Sequence, residues 1–450
     1  MLSVADAPAA VDVFANLRRT EFSRVDEKDL AYLDYTGAAL HADRQITRHL
    51  QDLRRNVWGN PHSASTPSLA ATALIDDARR RVLRFVDADP AEYDVIFTAN
   101  CSGAIKLVAE SYAFRRLGEL VLTADNHNSV NGLREYARRA RSEVVYAPLD
   151  IDLRLDEPQR YFRPRTRRSQ RLFAFPAQSN FSGVQHPLSL VADAQRAGFD
   201  VLLDAAAFLP TNRLSLRACR PEFVVLSFYK LFGYPTGVGA VVARREALTR
   251  LTRPWFAGGT VNFASVQNGI HELKAGPEAF EDGTLSFATI AALRHGFDFI
   301  EQIGIDAVHE HVGGLTRYLL RELRERRTVC VYGPLDGSMR GGTVAFNLAD
   351  RNGRPRPYSI VERAARESGI AIRGGCFCNP GAAERAFALD ADRARACLRS
   401  TSERGFTIER FAECMSDASP VGALRASVGV ATNVRDIERL LELIDSMSKR

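Results

Sequence analysis

Short apolar runs alternate with helical patterns along the first two thirds of the chain. The runs are largely uninterrupted by polar residues, which indicates strands buried on both faces of a sheet. Between the first two, residues 102–114 show a helical pattern opened by a small polar residue suited to an N-cap. Strands that alternate with helices predict an α/β layered domain with a mostly parallel sheet of seven strands over residues 55–300. The predicted strands are residues 93–98, 119–123, 143–148, 171–175, 199–204, 222–228 and 237–243.

The pattern changes toward the carboxyl terminus, where helical periodicity is followed by short apolar runs and a last helix. This predicts a smaller α+β domain formed by residues 301–450 together with residues 1–54. In open α/β sheets, ligands bind beyond the carboxyl ends of the strands, so functional residues are expected where the predicted strands end. The elements predicted in this part are helices at about 286–327 and 433–447, and strands near 342–348, 369–373 and 423–428.

The composition is that of an ordinary globular protein. Hydrophobic residues make up 46% of the 450 positions and charged residues 25%, as is typical of globular domains. The net charge of +6 comes mainly from arginine, since the chain has only five lysines. The densest basic run, residues 159–171, is interpreted as a surface loop, because one loop does not make a nucleic-acid-binding face. No apolar run approaches the roughly 18 residues of a membrane span.

The cysteine pattern favours free thiols. Seven cysteines occur without the spacing of a disulfide framework, and the first residues lack the basic and apolar segments of a secretory signal. We therefore expect a cytoplasmic protein. Cys376 and Cys378 stand in the glycine-rich stretch RGGCFCNPG, residues 373–381. Two thiols are too few for a metal site, so none is predicted, and a disulfide between positions two apart would be strained. Buried inert thiols and a nucleophile with a neighbour both stay open.

Two ionisable residues lie at the ends of apolar strands. Asp204 ends one strand, where a carboxylate is costly unless it is paired or caps a helix. Lys230 lies among aromatic residues, and a desolvated amine is suited to forming a Schiff base. The alternative is a lysine whose stem follows a hydrophobic edge. A lysine and an acid that contacts a pyridine nitrogen are what pyridoxal phosphate requires.

Smaller polar residues follow the other strands in the same order. Cys101 and Ser102 lie where a helix begins, and a helix N-terminus favours phosphate. His127 follows the next strand, Asn180 the third, and Ser227 precedes the lysine. Each of these residues alone is also explained by a turn or a cap. Their shared position beyond strand ends favours a pyridoxal-phosphate site.

Six motifs in a fixed order extend over nearly the whole chain, from about residue 33 to residue 430. They are YLDYTGAAL (32–40), GNPHSAS (59–65), FPAQSNFSGVQHPLS (175–189), SFYKLFGYPTGVGA (227–240), FEDGTLSF (280–287) and RGGCFCNPGA (373–382). With these motifs the chain resembles the class V branch of fold-type I pyridoxal-phosphate transferases. Within that branch it is most similar to the cysteine desulfurase domain of molybdenum cofactor sulfurases.

The resemblance implies roles for the matching residues. Lys230 would bind pyridoxal 5'-phosphate covalently, Asp204 would contact the pyridine nitrogen and His127 would stack on the ring. Asn180 would donate a hydrogen bond to the phenolic oxygen, and Arg425 would bind the carboxylate of the substrate with a planar fork. The implied phosphate ligands are Cys101, Ser102, Ser227 and, from the neighbouring subunit of a homodimer, Thr284.

The resemblance also implies a reaction. Cys378 matches the catalytic cysteine, which would take sulfur from L-cysteine as a persulfide and leave L-alanine, with Cys376 as its neighbour. The sulfur would pass to an acceptor, either molybdenum cofactor, a sulfur-carrier protein or a small molecule. Residues up to 450 do not include the further C-terminal domain of the long sulfurases, so a separate acceptor is expected.

Two other functions are compatible with the same residues. One is a different class V enzyme, such as a C–S lyase, an aminotransferase or an epimerase, in which Cys378 is incidental. The other is a non-catalytic scaffold, which intact Lys230 and Asp204 disfavour.

Tyr229 replaces the histidine that usually precedes the lysine in desulfurases, a feature shared with the sulfurases. Ala207 stands where desulfurases often have a glutamine.

Overall fold

A computed structural model describes residues 13–163, 170–403, 405–415 and 420–448. The start of the chain, for which no secretory signal is predicted, and the middle of the basic run at 159–171 lie outside the described residues. The strands are β1 (Ala31–Tyr32), β2 (Tyr93–Thr98), β3 (Glu119–Thr123), β4 (Glu143–Ala147), β5 (Arg171–Pro176), β6 (Asp200–Asp204), β7 (Phe223–Ser227), β8 (Gly239–Arg244), β9 (Val261–Ser265), β10 (Ile270–Leu273), β11 (Val329–Tyr332), β12 (Thr343–Leu348), β13 (Ile370–Ala371), β14 (Arg373–Gly375) and β15 (Ala423–Ser427).

Helices of very different length connect these strands. They are α1 (Val13–Glu21), α2 (Arg24–Glu27), α3 (Asp43–Arg55), α4 (Thr66–Phe85), α5 (Cys101–Ser111), α6 (Asn128–Asn131), α7 (Leu133–Arg139), α8 (Leu190–Arg196), α9 (Phe228–Phe232), α10 (Arg245–Leu248), α11 (Phe287–Ala291), α12 (Leu293–Ile303), α13 (Ile305–Arg324), α14 (Tyr358–Glu367), α15 (Pro380–Ala386), α16 (Ala391–Glu403), α17 (Ile408–Met415) and α18 (Val434–Ser448). Two 3₁₀ turns span Pro158–Tyr161 and Gly276–Phe280. None of the described helices is long and apolar enough to cross a membrane.

A seven-stranded sheet forms the largest layer, with the order β2-β8-β7-β6-β5-β3-β4. Only β8 runs against its two neighbours, and the other adjacent pairs are parallel. Alternate residues of the strands contribute to two separate apolar clusters, so the sheet is covered on both faces. Strands β3, β5 and β7 are buried at every position, whereas β4 at the edge is largely exposed. The predicted α/β class is confirmed.

A second sheet has four antiparallel strands in the order β11-β12-β15-β14. It packs with α13, α14 and α18 around a third apolar cluster. The N-terminal segment reaches this part of the molecule, because β1 pairs in parallel with β13 and Asp34 bridges to Ser427. The division into residues 55–300 and the remainder stays a prediction.

The predicted strands of the large sheet all occur, with bounds that differ by no more than two residues. The helix predicted over 102–114 ends at Ser111, since Tyr112 turns to an extended conformation and bonds to Asp200. The strand predicted at 369–373 is split into β13 and β14, which join different sheets. Sequence patterns missed the short β1, the exposed hairpin β9–β10 and the edge strand β11.

The expectation of free thiols is wrong for two of the seven cysteines. Cys397 in α16 and Cys414 in α17 form a disulfide that joins the two helices. Nothing in the local spacing marks this pair, because the helices bring together positions 17 residues apart. Cys376 and Cys378 are free and exposed, so the alternative of buried thiols is wrong.

Candidate active site

The sheet topology gathers the predicted residues at one edge. Strands β2, β3, β5, β6 and β7 run in the same direction, so their carboxyl ends meet there. One cavity lies beyond these ends, at the place where α/β sheets bind ligands. Seven of the predicted site residues line this cavity: Cys101, Ser102, His127, Asn180, Asp204, Ser227 and Lys230.

One end of the cavity offers hydrogen-bond donors suited to phosphate. Helix α5 begins here, and Asn100 caps it through a side-chain bond to a backbone amide. The hydroxyls of Ser102 and Ser129 lie 2.6 Å apart. The Ser227 hydroxyl is buried and has no hydrogen-bond partner among the described residues. An unpaired buried hydroxyl beside a helix N-terminus fits an anionic ligand. Sequence patterns missed Ser129, whose position depends on the packing of α6 against α5.

The same cavity is lined by the two residues with the strongest predicted roles. Asp204 is buried, and its Oδ1 accepts a hydrogen bond from the Ala206 amide at 3.0 Å. Lys230 lies in α9, directly after β7, and is half-buried rather than buried because its side chain lines the cavity. Gln178, which sequence patterns missed, and Ala207 also line the cavity. Pyridoxal phosphate requires a carboxylate for its pyridine nitrogen, an amine that binds it covalently and donors for its phosphate. All three kinds of group line this cavity.

The electrostatic setting keeps two further groups neutral. Burial raises the pKa of the Cys101 thiol well above its usual value, and the nearby Asp204 carboxylate adds to the effect. Burial lowers the pKa of His127, as does the Lys230 ammonium. The His127 Nδ1 accepts a hydrogen bond from the Ser129 amide at 3.1 Å. A neutral imidazole with a fixed ring orientation is suited to stacking on an aromatic cofactor.

Hydrogen bonds fix the loop that carries Cys378 against the cavity. The Asn128 amide donates to the Cys378 carbonyl at 2.7 Å, and the Asn180 side chain donates to the Phe377 carbonyl at 2.7 Å. Asn379 donates to the Asn180 side-chain oxygen at 2.9 Å. Phe377 and Cys378 both have φ of 55°, a conformation that non-glycine residues rarely adopt and that these bonds sustain. The Cys378 side chain therefore projects from a fixed backbone.

Asn180 has a role that its sequence position did not indicate. Its side-chain nitrogen and oxygen both bond to the cysteine loop, so it links this loop to the strand ends. The predicted contact with the phenolic oxygen of the cofactor stays a prediction.

Arg425 lies in β15 beside the cysteine loop. Its guanidinium is buried, donates to the Asn180 carbonyl at 3.0 Å and to Asp34 Oδ1 at 2.9 Å, and lies 4.7 Å from the ring centroid of Phe377. Its Nε is buried and has no hydrogen-bond partner in the described part of the chain. A buried donor of this kind fits the carboxylate of an amino acid. Sequence patterns missed Asp34 because its partner is 391 positions away.

Thr284 does not line the cofactor cavity. It is exposed and lines a neighbouring cavity of about 390 Å³ together with Thr98, Gly103 and Lys106. Its predicted contact with the phosphate of a second subunit stays a prediction.

Gly239 leaves room for the phosphate cradle. A Cβ at this first residue of β8 would overlap the backbone of Asn100 and Cys101. We expect Gly239→Ala to destabilise the protein by about 1–3 kcal/mol and to weaken cofactor binding, measured by thermal unfolding and by titration of the apoprotein. Gly314→Ala, which places its Cβ in open space on α13, is the control and should leave both unchanged or slightly raise stability. Unchanged cofactor affinity in Gly239→Ala would contradict the expectation.

The lowered pKa of His127 predicts a stability change with pH. The unfolded chain protonates this histidine near its ordinary pKa of 6.5, while the folded protein resists protonation. Above that pH the histidine is neutral in both states and does not affect the free energy of unfolding. As the pH falls below it, the unfolded chain takes up the proton more readily, so the folded state loses stability. We expect the free energy of unfolding to fall more between about pH 7 and about pH 5.5 in the wild type than in His127→Gln. Equal falls would show that other groups cause the dependence.

Comparisons with known proteins place the chain in a family. Residues 31–440 match the family model described as aminotransferase class-V. The molybdenum cofactor sulfurase of Oryza sativa subsp. japonica is 35% identical over 98% of this chain. Molybdenum cofactor sulfurase 3 of Aedes aegypti is 37% identical over 94% of it. The chain spans only 58% and 57% of the length of these two relatives.

Solved structures show the same fold. The apo cysteine desulfurase from Thermococcus onnurineus NA1 matches with a TM-score of 0.80 at 22% identity, over 100% of both chains. The cysteine desulfurase CsdA from Escherichia coli matches with a TM-score of 0.77 at 22% identity, over 97% of this chain and 98% of its own. These likenesses confirm the fold-type I architecture expected from the sequence. The chain therefore belongs to the aminotransferase class-V family, whose members use pyridoxal phosphate.

Proposed function

We propose that the protein is a pyridoxal-phosphate-dependent cysteine desulfurase that passes sulfur from L-cysteine to an acceptor. The observation that carries this proposal is the exposed Cys378 thiol on a fixed loop beside the buried Arg425, a loop bonded to Asn180, which lines the same cavity as Lys230. A nucleophile, a carboxylate-binding arginine and a cofactor-binding lysine are the three groups that this reaction needs. The sulfurase relatives and the desulfurase structures support the proposal.

In this proposal, different residues bind different parts of the cofactor. Lys230 would hold the cofactor covalently, Asp204 would contact its pyridine nitrogen and His127 would cover its ring. Cys101, Ser102 and Ser227 would bind the phosphate, the last through its unpaired hydroxyl. The bound cofactor supplies an acceptor for the electrons released at the α-carbon of the substrate. The Lys230 amine, which lines the cavity, would move the α-proton.

Cys378 performs the sulfur step. Its thiolate sulfur forms an S–S bond with the sulfur of L-cysteine, while the Cβ–S bond breaks and leaves its electron pair on carbon. That carbon takes up a proton, so the products are L-alanine and a persulfide on Cys378. Arg425 holds the substrate carboxylate through its free Nε, which keeps the substrate sulfur directed toward the loop.

The persulfide needs an acceptor outside the loop. Because Cys378 is exposed, molybdenum cofactor, a sulfur-carrier protein or a small molecule could each reach it. The relatives named molybdenum cofactor sulfurases favour the first of these. We also propose a homodimer in the cytoplasm, in which Thr284 of each subunit contacts the phosphate bound by the other.

The first test is the release of L-alanine from L-cysteine in the presence of a reductant. We expect the wild type to form alanine and Cys378→Ala to form none above background, while both retain the absorption of bound cofactor. Cys376→Ala is the matched control, because this thiol lies on the same loop and is also exposed. It should retain activity. No alanine from the wild type, or an active Cys378→Ala, would favour a C–S lyase, an aminotransferase or an epimerase instead.

A further inference from the structure

Two arginines share one carboxylate beside the cofactor cavity. Asp34 Oδ2 accepts from Arg373 Nε at 3.0 Å and from Arg373 Nη2 at 2.7 Å. Asp34 Oδ1 accepts from Arg425 Nη2 at 2.9 Å. A Cβ at Gly37 would overlap both Asp34 and Arg373, so the chain is shaped around this contact. The cluster joins the N-terminal segment, the strand before the cysteine loop and β15.

The cluster carries one net positive charge. Arg425 is buried, whereas the Arg373 side chain is 48% exposed. Tyr32 lies near both arginines, but burial raises its pKa to about 12, with Asp34 adding to the effect, so it stays neutral. Two guanidiniums and one carboxylate leave one positive charge uncompensated, and one further carboxylate would neutralise it.

We propose that Asp34 sets the charge specificity of the substrate site by occupying the second arginine. With Asp34 in place, the Nε of Arg425 takes the α-carboxylate of an amino acid, while the Nε and Nη2 of Arg373 are occupied by Asp34 and its charge is compensated. Amino acids with a neutral side chain therefore bind, and those with a second carboxylate are disfavoured. This inference rests on the proposed function only in taking an amino acid as the substrate. Asp34 is a positioning residue, since it acts through the two arginines.

Removal of the Asp34 charge should change the preference between amino acids with one carboxylate and those with two. The two guanidiniums would then carry two positive charges in a half-buried site, and a second carboxylate could replace Asp34 between them. We expect Asp34→Asn to raise the affinity for L-aspartate relative to L-alanine by about tenfold or more, because a bridging carboxylate in a partly desolvated site gains several kT. The double variant Asp34→Asn/Arg373→Gln should return this ratio to its wild-type value.

The experiment is an equilibrium titration of the holoenzyme with L-alanine and with L-aspartate, followed by the absorbance of the bound cofactor. Neither ligand contains sulfur, so the ratio of dissociation constants does not depend on sulfur transfer. Arg366→Gln, an exposed arginine near the end of α14, is the control and should not change either constant. A ratio that stays unchanged in Asp34→Asn, or that rises equally in the double variant, overturns the proposal.

A second variant covers the case in which Asp34→Asn does not fold. In Arg373→Gln, Asp34 faces Arg425 alone and the cluster becomes neutral. Binding of L-alanine should then weaken by about tenfold, and an unchanged constant overturns the proposal. Failure of the desulfurase proposal is recognised separately, by the absence of alanine formation from L-cysteine in the wild type.

Discussion

Lys230→Ala is expected to abolish covalent attachment of the cofactor and to reduce turnover by roughly 10³-fold or more, because in the proposed mechanism the same amine binds the cofactor and moves the α-proton. The position of the lysine explains the size of the effect. Helix α9 begins directly after β7, which places Lys230 at the carboxyl edge where it lines the cavity with Asp204. No other lysine lines this cavity among the described residues.

The measurement is borohydride reduction of the holoenzyme, followed by mass spectrometry of the peptide that contains the labelled lysine. The wild type should carry the reduced cofactor on Lys230, and Lys230→Ala should carry none. Lys28→Ala is the control, since Lys28 is exposed and lies in the N-terminal segment. A label on another lysine of the wild type, or retained turnover in Lys230→Ala, would show that the cavity is not the cofactor site.

Arg171→Ala is expected to cause the largest loss of stability, about 3–5 kcal/mol, because it removes the buried guanidinium that pairs with the Glu119 carboxylate. The Arg171 and Glu119 side chains are 3% and 9% exposed and their charged atoms lie 2.7 Å apart. The guanidinium also donates to the Ala197 carbonyl at 2.5 Å and lies 3.7 Å from the ring centroid of Phe199. Arg171 begins β5, at the amino edge of the sheet, so the cofactor cavity should not be altered directly.

Denaturant unfolding of the apoprotein measures this loss. Arg245→Ala is the matched control, because Arg245 is 54% exposed and pairs with Asp94 at 3.0 Å. Solvent screens such a pair, so the change should stay below about 1 kcal/mol. The double variant Arg171→Met/Glu119→Leu should recover most of the loss, since it removes both charges together. If Arg171→Ala loses no more stability than Arg245→Ala, the buried pair does not stabilise the fold to the extent that its burial indicates.

Local patterns were sufficient for the large sheet. Apart from the edge strand β4, its strands are largely buried on both faces and are short apolar runs, and all seven occur near their predicted bounds. The residues that end those strands were predictable for the same reason, because parallel strands place their carboxyl ends together. Asp204 and Lys230 were found in this way. Patterns failed for β9 and β10, whose exposed residues carry no consistent alternation.

The remaining site residues depend on contacts between distant segments. Asp34 meets Arg425 and Arg373 only because the N-terminal segment crosses to the four-stranded sheet. Asn379 reaches Asn180 over 199 positions. A charged or amide residue in a loop has no periodic pattern to mark it, and its partner is chosen by packing. Family resemblance identified Arg425 and Cys378, but it did not indicate what holds them.

The sequence by itself determined the α/β class, the strand-end position of the lysine and the aspartate, and the order of the motifs along the chain. These depend on burial and on neighbours a few residues away. Tertiary structure alone decided the order of the strands, the direction of β8, the disulfide between α16 and α17, and the charge balance of the two arginines around Asp34. Each of these depends on which distant segments of the chain meet. Such contacts form only when the whole chain packs, so no local pattern marks them.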